Sequence, residues 1–414
     1  MQACRGLSID RARQYKMRSS CFAQIGVHLR SGDASIEAAL DRGTVEAECG
    51  SAEICELELE LKDGDPAELF QVAQRLAKAT PLALELRSKS ERGYALVGGA
   101  NAEAVKAKEI HIPANATSAD AFKIVGWACL RQIAGNHDAV LRGDPDGIHE
   151  MRVGLRRLRA ALSIFSEMLQ DHESRYVHGE LKWLTGELGP AREIDVFIKR
   201  VVQRLQAHRA HKDAARALCE DVLRRGGDAY RRAMDALTSA RYRGLMLLVA
   251  GWIETGDWLT AEDELASARR QRSARAFATK ELSQRRARIV KRGRKLLELE
   301  PHKRHKLRIS AKKLRYGAEF FACLFPRAKA AKLRKSFLQA LKELQDCLGA
   351  LNDIVAHEEL TAKIAEDAAA GKSRGQLPFI AGVASGQEES RTDSLLHKAL
   401  DQHRGFARAK PFWR

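Results

Sequence analysis

Two segments of this 414-residue chain repeat one spacing of histidine, arginine and lysine. Residues 149–159 read HEMRVGLRRLR and residues 305–315 read HKLRISAKKLR, so both match H-x-x-R-x-x-x-[RK]-[RK]-L-R. Arginine offers a planar, bidentate match to phosphate oxygens, lysine a compact charge, and histidine a donor that gains charge as pH falls. These residue types at this spacing predict a binding site for an anionic ligand.

Helical geometry places each set of basic residues along one edge of a helix. At 100° per residue the basic residues fall within an arc of roughly 80°, and the apolar residues occupy an adjacent arc of similar width. These two basic stripes are His149, Arg152, Arg156 and Arg159 in the first segment, and His305, Arg308, Lys312 and Arg315 in the second. Each stripe is about 15 Å long, because ten residues rise by about 1.5 Å each.

A row of like charges needs an explanation. Like charges four residues apart destabilise a helix by a few tenths of a kcal/mol per pair, a cost that a bound anion offsets. For any single residue of a stripe, a solvated or salt-bridged surface role remains the alternative. The recurrence of the whole set favours ligand binding, because core packing does not require it.

A second pair of matching segments extends the repeat. Residues 181–194 read LKWLTGELGPAREI and residues 341–354 read LKELQDCLGALNDI, at an offset of 160 residues compared with 156 for the stripes. We interpret the chain beyond residue 119 as two copies of one multi-helix unit related by an approximate two-fold axis. The two stripes can then face a shared channel.

Composition supports helices and an anionic partner in the same part of the chain. Residues 1–113 contain 15 Lys and Arg against 17 Asp and Glu, a net charge of −2. The net charge of the whole chain is +17, so residues 114–414 carry +19. Beyond residue 119 the chain is rich in Ala, Leu, Arg and Glu, and prolines are sparse, which predicts an all-α bundle. Non-specific nucleic-acid binding stays open, although neither stripe carries the aromatic residues on which bases stack.

Other sequence features indicate where the protein works. The longest apolar run, residues 244–253, has about half of the roughly 20 residues that a membrane span needs. The eight cysteines are scattered, with neither a C-x-x-C pair nor zinc-type spacing. We therefore expect a cytoplasmic protein with reduced thiols, no membrane association and no structural metal site.

The N-terminal part has the alternating pattern of strands. Residues 45–48 and 54–62 predict two strands, the second with an acidic face. Asp-Pro at 65–66 predicts the start of a helix that continues to about Lys78, and residues 82–97 predict a further strand.

The paired helices resemble a known family. The segments IHEMRVGLRRLRAAL (148–162) and HKLRISAKKLRYGAEFF (305–321) resemble, in the expected order, the signature helices of the CHAD family, the conserved-histidine α-helical domain. The resemblance implies a mainly α fold with duplicated four-helix units, pseudo-two-fold symmetry and a basic central pore that binds inorganic polyphosphate. The ligand contacts that it implies are His149, Arg152, Arg156, Arg157 and Arg159, with His305, Arg308, Lys312, Lys313 and Arg315.

Residues 36–97 resemble the later part of a CYTH domain, the triphosphate tunnel fold in which acidic strands hold a divalent metal. The positions that look similar are Arg42, Glu56, Glu58, Glu60, Lys62 and Lys89. A complete tunnel needs about eight strands and this region offers about four, so a small α+β fragment is expected. The resemblance implies an alternative activity, a Mg²⁺-dependent inorganic triphosphatase with Glu58 and Glu60 at the metal and Lys62 near phosphate.

The leading hypothesis is a non-enzymatic, bacterial polyphosphate-binding protein without catalytic residues. It requires no cofactor, and Mg²⁺ enters only if the CYTH-like region is active. Oligomeric state and association with polyphosphate granules stay open. The predicted divisions are an unassigned arm at 1–35, a partial CYTH-like segment at 36–97, a linker at 98–118, a CHAD-like domain at 119–403 with units at about 119–255 and 270–403, and a basic tail at 404–414.

Overall fold

The computed structural model describes residues 18–47, 50–97, 104–206, 212–260, 263–369 and 377–413. These residues form two compact units. The first contains the described residues up to Lys106, together with Leu130–Met151 and Ala236–Asp257. The second contains Ala107–Cys129, Arg152–Asp235 and the described residues from Trp258 onward.

A three-stranded antiparallel sheet begins the first unit. Its strands are β1 (Arg18–Ser31), β2 (Ala34–Ala47) and β3 (Gly50–Asp63), in the order β1-β2-β3. The two predicted strands correspond to parts of β2 and β3, whereas β1 lies mostly in the arm that the sequence left unassigned. Gly64 has φ of +96° where β3 ends, and a Cβ there would lie 2.5 Å from the Ala34 Cα, so the chain requires glycine at this position.

The helix predicted after Asp65 is confirmed as α1 (Pro66–Ala79). The Asp65 side chain accepts a hydrogen bond from the Ala67 N–H at 2.8 Å, and proline fills the first helical position. Val72 of this helix packs with Ala34 and Ile36 of the sheet in a small apolar core.

The strand predicted at 82–97 is wrong, because its second half is helix α2 (Lys89–Val97). Ser88 and Glu91 form a capping box at the start of α2. The Glu91 N–H donates to Ser88 Oγ at 3.1 Å, and the Ser88 N–H donates to a Glu91 carboxylate oxygen at 2.9 Å. This S-x-x-E signal starts a helix and outweighs the short alternating pattern that predicted a strand.

Most of the rest of the described chain is helical, which confirms the mainly α fold with a small sheet at its N-terminal end. A π-helical turn, Ile198–Val202, follows the helix Gly189–Phe197. The helices are α3 (Ser118–Gly135), α4 (His137–Leu141), α5 (Pro145–Ile164), α6 (His172–Glu187), α7 (Gly189–Phe197), α8 (Gln203–Gln206), α9 (Lys212–Thr238), α10 (Ala240–Thr255), α11 (Glu264–Gln271), α12 (Ala274–Gly293), α13 (Pro301–Phe320), α14 (Ala328–Ala369), α15 (Leu377–Glu389) and α16 (Thr392–Arg408).

The two repeats make equivalent contacts in the core of the second unit. Phe165 and Phe321, which match at the 156-residue offset, are fully buried and meet with ring centroids 5.9 Å apart. Phe122 packs on Phe165 at 5.4 Å in the first repeat, and Phe277 packs on Phe321 at 6.1 Å in the second. The apolar edges of α5 and α13 therefore hold these helices together, and this packing sets the position of the basic edges beside them.

In the described part of the chain, every helix is too short or too polar to cross a bilayer.

Candidate anion-binding site

The two stripe helices, α5 and α13, bring cations of both repeats together in the second unit. Burial lowers the pKa of Arg308 and of Lys312, and the charge of Arg156 from the other repeat lowers both further. We refer to Arg152, Arg156, Arg308, Lys312 and Arg315 as the central basic cluster. Each of these side chains is partly buried.

Within the central basic cluster, Lys312 is the residue whose pKa lies furthest from its ordinary value. Burial, together with the positive charges of Arg308, Arg156 and Arg315, lowers its pKa from 10.5 to about 7. Asp353 opposes this effect without cancelling it. An ammonium in this position is held among like charges and is only partly protonated near neutral pH.

Arg152 is fixed by its helix neighbours. Its Nη1 donates to the Thr185 carbonyl oxygen at 2.9 Å. Burial and the charge of Arg156 lower the pKa of Arg152 to about 10, while Glu193 acts in the opposite direction. One donor of the guanidinium is therefore committed to the protein backbone, and the group as a whole lacks full charge compensation.

Two glycines of the second repeated segment lie beside the first arginine of each stripe. A Cβ on Gly189 would lie 3.2 Å from Arg152 Nη1, and a Cβ on Gly349 would lie 3.8 Å from Arg308 Nε. Gly189 begins α7 and Gly349 lies within α14. At both matched positions the glycine therefore lies close to an arginine of a stripe.

The acids four residues after these glycines act on the same arginines. Glu193 favours the charged form of Arg152, and Asp353 favours that of Arg308. Asp353 also forms an ion pair with Arg200 of the π-helical turn. The two acids therefore offset part of the repulsion that the stripe arginines experience.

Several donors of the central basic cluster face no acceptor. The Nε atoms of Arg152, Arg156 and Arg308 are buried and have no hydrogen-bond partner among the described residues. A buried donor without a partner costs about 1–3 kcal/mol, and more when the group is charged. Three such donors together offer hydrogen bonds that the described residues leave unused.

The predicted histidines differ in their surroundings. His305 is exposed, and its Nδ1 contacts the Oδ1 of Asn352. His149 is partly buried and lies one helical turn before Arg152, in the part of α5 that belongs to the first compact unit. Each histidine therefore lies on its stripe helix at the position that the spacing predicts.

The two predicted residues outside the stripes, Arg157 and Lys313, have different surroundings. Arg157 is 3% exposed, and its guanidinium carbon lies 5.4 Å from the centroid of the Phe320 ring. Lys313 Nζ donates to Ser163 Oγ at 2.9 Å. Arg159 is partly buried, and its charge acts on Lys313. Arg157 thus packs on a buried ring, whereas Arg159 and Lys313 lie together.

Sequence reasoning missed the residues that approach the stripes from other helices. These residues are Thr185, Arg200, Asn352, Arg285 and His178. Thr185 and Asn352 lie within the second pair of matching segments, which could have directed attention to them. Arg200, Arg285 and His178 have no signal in the sequence, because their proximity arises from packing between helices.

Three carboxylates of β2 and β3 in the first unit form ion pairs with a lysine of the same chain. Ligand oxygens of Asp41, Glu56 and Glu58 lie within 4.8 Å of one another. Lys89 Nζ forms ion pairs with all three, at 2.9 Å from Glu56 and 3.1 Å from Glu58. Carboxylates are suitable Mg²⁺ ligands, but these three already neutralise an ammonium, so the set does not fit a metal while Lys89 is in place.

Glu60, which the sequence analysis placed with Glu58 at a metal, does not belong to this acidic group. Glu60 forms an ion pair with Lys62 at 2.9 Å, and Lys62 also pairs with Glu37 at 2.6 Å. The acidic group that includes Glu58 instead contains Asp41 of β2, which the sequence pattern did not single out. Cross-strand neighbours bring these carboxylates together.

The sequence matches two domain families. The CHAD domain family matches residues 125–362, which is more than half of the chain, and the CYTH domain family matches residues 2–94. The chain therefore belongs to the CHAD domain family and has an N-terminal CYTH domain. The CYTH match begins upstream of residue 36, so it includes the arm that the sequence analysis left unassigned.

The chain is also similar to two mycobacterial proteins and to a solved CHAD domain. Two uncharacterized proteins of Mycobacterium tuberculosis, from strains CDC 1551 and H37Rv, are each 28% identical over 261 residues, which cover 61% of this chain. The matched region is only 46% of their length. The crystal structure of the CHAD domain from the plant Ricinus communis is 28% identical, with a TM-score of 0.59 over 71% of this chain and 96% of that one.

A second solved structure shares the fold alone. PptA from Streptomyces chartreusis has a TM-score of 0.51 and 16% identity, over 70% of this chain and 99% of that chain.

Proposed function

We propose that this protein binds inorganic polyphosphate along the central basic cluster, without hydrolysing it. The observation that carries the proposal is the meeting of Arg156 from one repeat with Arg308 and Lys312 from the other. Association of the CHAD family with polyphosphate supports the choice of ligand. The proposed contacts are His149, Arg152, Arg156 and Arg159 of α5, and His305, Arg308, Lys312, Lys313 and Arg315 of α13.

The charge state of the cluster favours a polyanion. Burial and mutual repulsion lower the pKa of Arg152, Arg308 and Lys312, so each carries charge that the protein compensates incompletely. A phosphate chain supplies negative charge and acceptor oxygens to the whole row at once. Its negative charge offsets the repulsion between the two stripes, and its oxygens accept hydrogen bonds from the buried Nε groups.

A phosphate chain fits the cluster better than a nucleic acid does. The cations lie along two helices over about 15 Å each, which matches a linear ligand with a repeating charge. Nucleic-acid binding without sequence readout usually adds exposed aromatic rings on which bases stack. The rings beside Arg157 and Arg315, those of Phe320 and Tyr316, are buried.

Charge reversal tests the proposal. The double variant Arg152→Glu with Arg308→Glu is expected to abolish retention of polyphosphate by the purified protein, while the far-ultraviolet circular dichroism spectrum stays unchanged. Wild-type binding should weaken steeply as salt is added, as it does for other phosphate polymers.

The matched control carries the same charge change at exposed lysines outside the stripes. Lys329→Glu with Lys332→Glu, at the beginning of α14, should bind polyphosphate nearly as the wild type does. If the double arginine variant retains wild-type affinity, or if short RNA displaces polyphosphate at equal phosphate concentration, the proposed function is wrong.

A further inference from the structure

The two stripes end differently. One turn beyond Arg159 the first stripe reaches Ser163, and one turn beyond Arg315 the second reaches Glu319, at positions that match at the 156-residue offset. Glu319 lies 3.5 Å from the Nε of Arg315. The repeats therefore place a hydroxyl at one end of the central basic cluster and a carboxylate at the other.

Three cations meet around Ser163. Lys313 Nζ donates to Ser163 Oγ at 2.9 Å, and Arg285 Nη2 of α12 donates to the Ser163 carbonyl oxygen at 2.6 Å. Burial lowers the pKa of Lys313, and the charges of Arg285 and Arg159 lower it further. Glu281 pairs with Arg285 at 3.2 Å, which leaves excess positive charge at this end.

A histidine lies at the edge of this group. Partial desolvation lowers the pKa of His178 in α6, and the charges of Arg159 and Lys313 lower it further. The ring reaches solvent, so His178 stands between the cations and the exterior.

The matching end contains a carboxylate. Glu319 interacts with the charges of both Arg315 and Arg157, and its own pKa is raised by burial. From α3, the group that faces Arg157 is the buried thiol of Cys129, whereas from α12 the group that faces Lys313 is Arg285. One end thus contains two arginines with a carboxylate and a neutral thiol, and the other contains three cations around a serine.

We propose that Arg159, Lys313 and Arg285 form a lateral phosphate subsite, with His178 at its outer edge. It binds phosphates of a polyphosphate chain that continues past the central basic cluster, and it does so at the Ser163 end only. This inference rests on the proposed function and adds a direction to it. A long polyphosphate chain leaves the central basic cluster past Ser163, because the carboxylate of Glu319 at the matching end of the second stripe repels phosphate.

The lateral subsite makes affinity depend on chain length. A triphosphate can be held by the central basic cluster alone, whereas a long chain also reaches the lateral subsite. In Arg285→Gln, and in Ser163→Glu, which copies the residue of the other end, the ratio of long-chain to triphosphate affinity should fall by about tenfold, the scale of one charge-assisted contact. Calorimetric titration with both ligands measures this ratio.

The control is Lys291→Gln, an exposed cation on another side of α12, which should leave the ratio unchanged. If Arg285→Gln and Ser163→Glu keep the wild-type ratio while the double charge reversal at Arg152 and Arg308 abolishes binding, the lateral subsite is wrong and the proposed function stands. If that double reversal leaves binding intact, the proposed function itself fails.

Discussion

Lys312 is the cation of the central basic cluster whose charge changes near neutral pH. Its pKa of about 7 in the free protein lies below the ordinary 10.5, so above pH 7 the side chain is mostly neutral. Bound phosphate favours the charged form and raises this pKa. The proposed binding of polyphosphate above pH 7 would therefore be coupled to uptake of a proton at Lys312.

Affinity for polyphosphate is expected to fall as pH rises from about 7.5 to about 9, by up to about tenfold per pH unit if this one group dominates. Arginine stays charged throughout that range, so Lys312→Arg should remove most of the slope. Titrations at several pH values and constant ionic strength measure it. Equal slopes in the wild type and in Lys312→Arg would contradict the role given to Lys312.

Gly189 and Gly349 occupy matched positions beside an arginine, and alanine is expected to have a different effect at each. Alanine at 189 places its Cβ 3.2 Å from Arg152 Nη1, so the guanidinium must shift, whereas alanine at 349 makes an ordinary contact of 3.8 Å with Arg308 Nε. We expect Gly189→Ala to weaken polyphosphate binding about threefold to tenfold, on the scale of one hydrogen bond to a charged group.

Gly349→Ala should preserve affinity and stabilise the protein by about 0.5–1 kcal/mol, because glycine within a helix is unfavourable. Binding titrations and thermal unfolding of the two variants test both outcomes. A larger loss of affinity in Gly349→Ala than in Gly189→Ala would mean that close approach to Arg152 is not what glycine provides at position 189.

At the scale of elements, local signals decided which predictions were right. Asp65 and Pro66 specify the start of α1 through a cap and a fixed backbone angle, so this helix could be predicted from the sequence. The alternating residues of 82–97 were misleading because the Ser88 and Glu91 capping box starts α2. Strand β1 has no clear period and became recognisable only through its pairing with β2.

The sheet and α2 support a prediction about metal binding. Lys89→Ala leaves Asp41, Glu56 and Glu58 together without the ammonium that pairs with them. Removing one partner of a charge cluster costs about 1–3 kcal/mol, so the thermal midpoint of unfolding should fall by several degrees. Millimolar Mg²⁺ should restore part of the loss. Differential scanning fluorimetry with and without Mg²⁺ measures both effects.

The wild type provides the comparison for this variant. Because the Lys89 ammonium already pairs with all three carboxylates, the thermal midpoint of the wild type should respond little to Mg²⁺. A large Mg²⁺-dependent stabilisation of the wild type that disappears in Glu58→Gln would show that the acidic cluster binds metal in the native protein and would revive the triphosphatase alternative.

At the scale of the whole molecule, the repeat made much of the site predictable. The spacing from His149 to Arg159 and from His305 to Arg315 fixes which residues share a helix edge, because helical geometry depends on spacing alone. The lateral contacts of Arg285 and His178 could not be predicted in this way. They depend on how α6 and α12 pack against the stripe helices, and no local pattern encodes that packing.

The central claim is that the two repeats form one shared site rather than two separate ones. The most direct test is the stoichiometry of binding, measured by calorimetric titration with polyphosphate of one defined length. We predict one chain bound per protein, and loss of all of this binding in either single variant, Arg152→Glu or Arg308→Glu. Two chains bound per protein, with each single variant losing one and keeping the other at wild-type affinity, would contradict the claim.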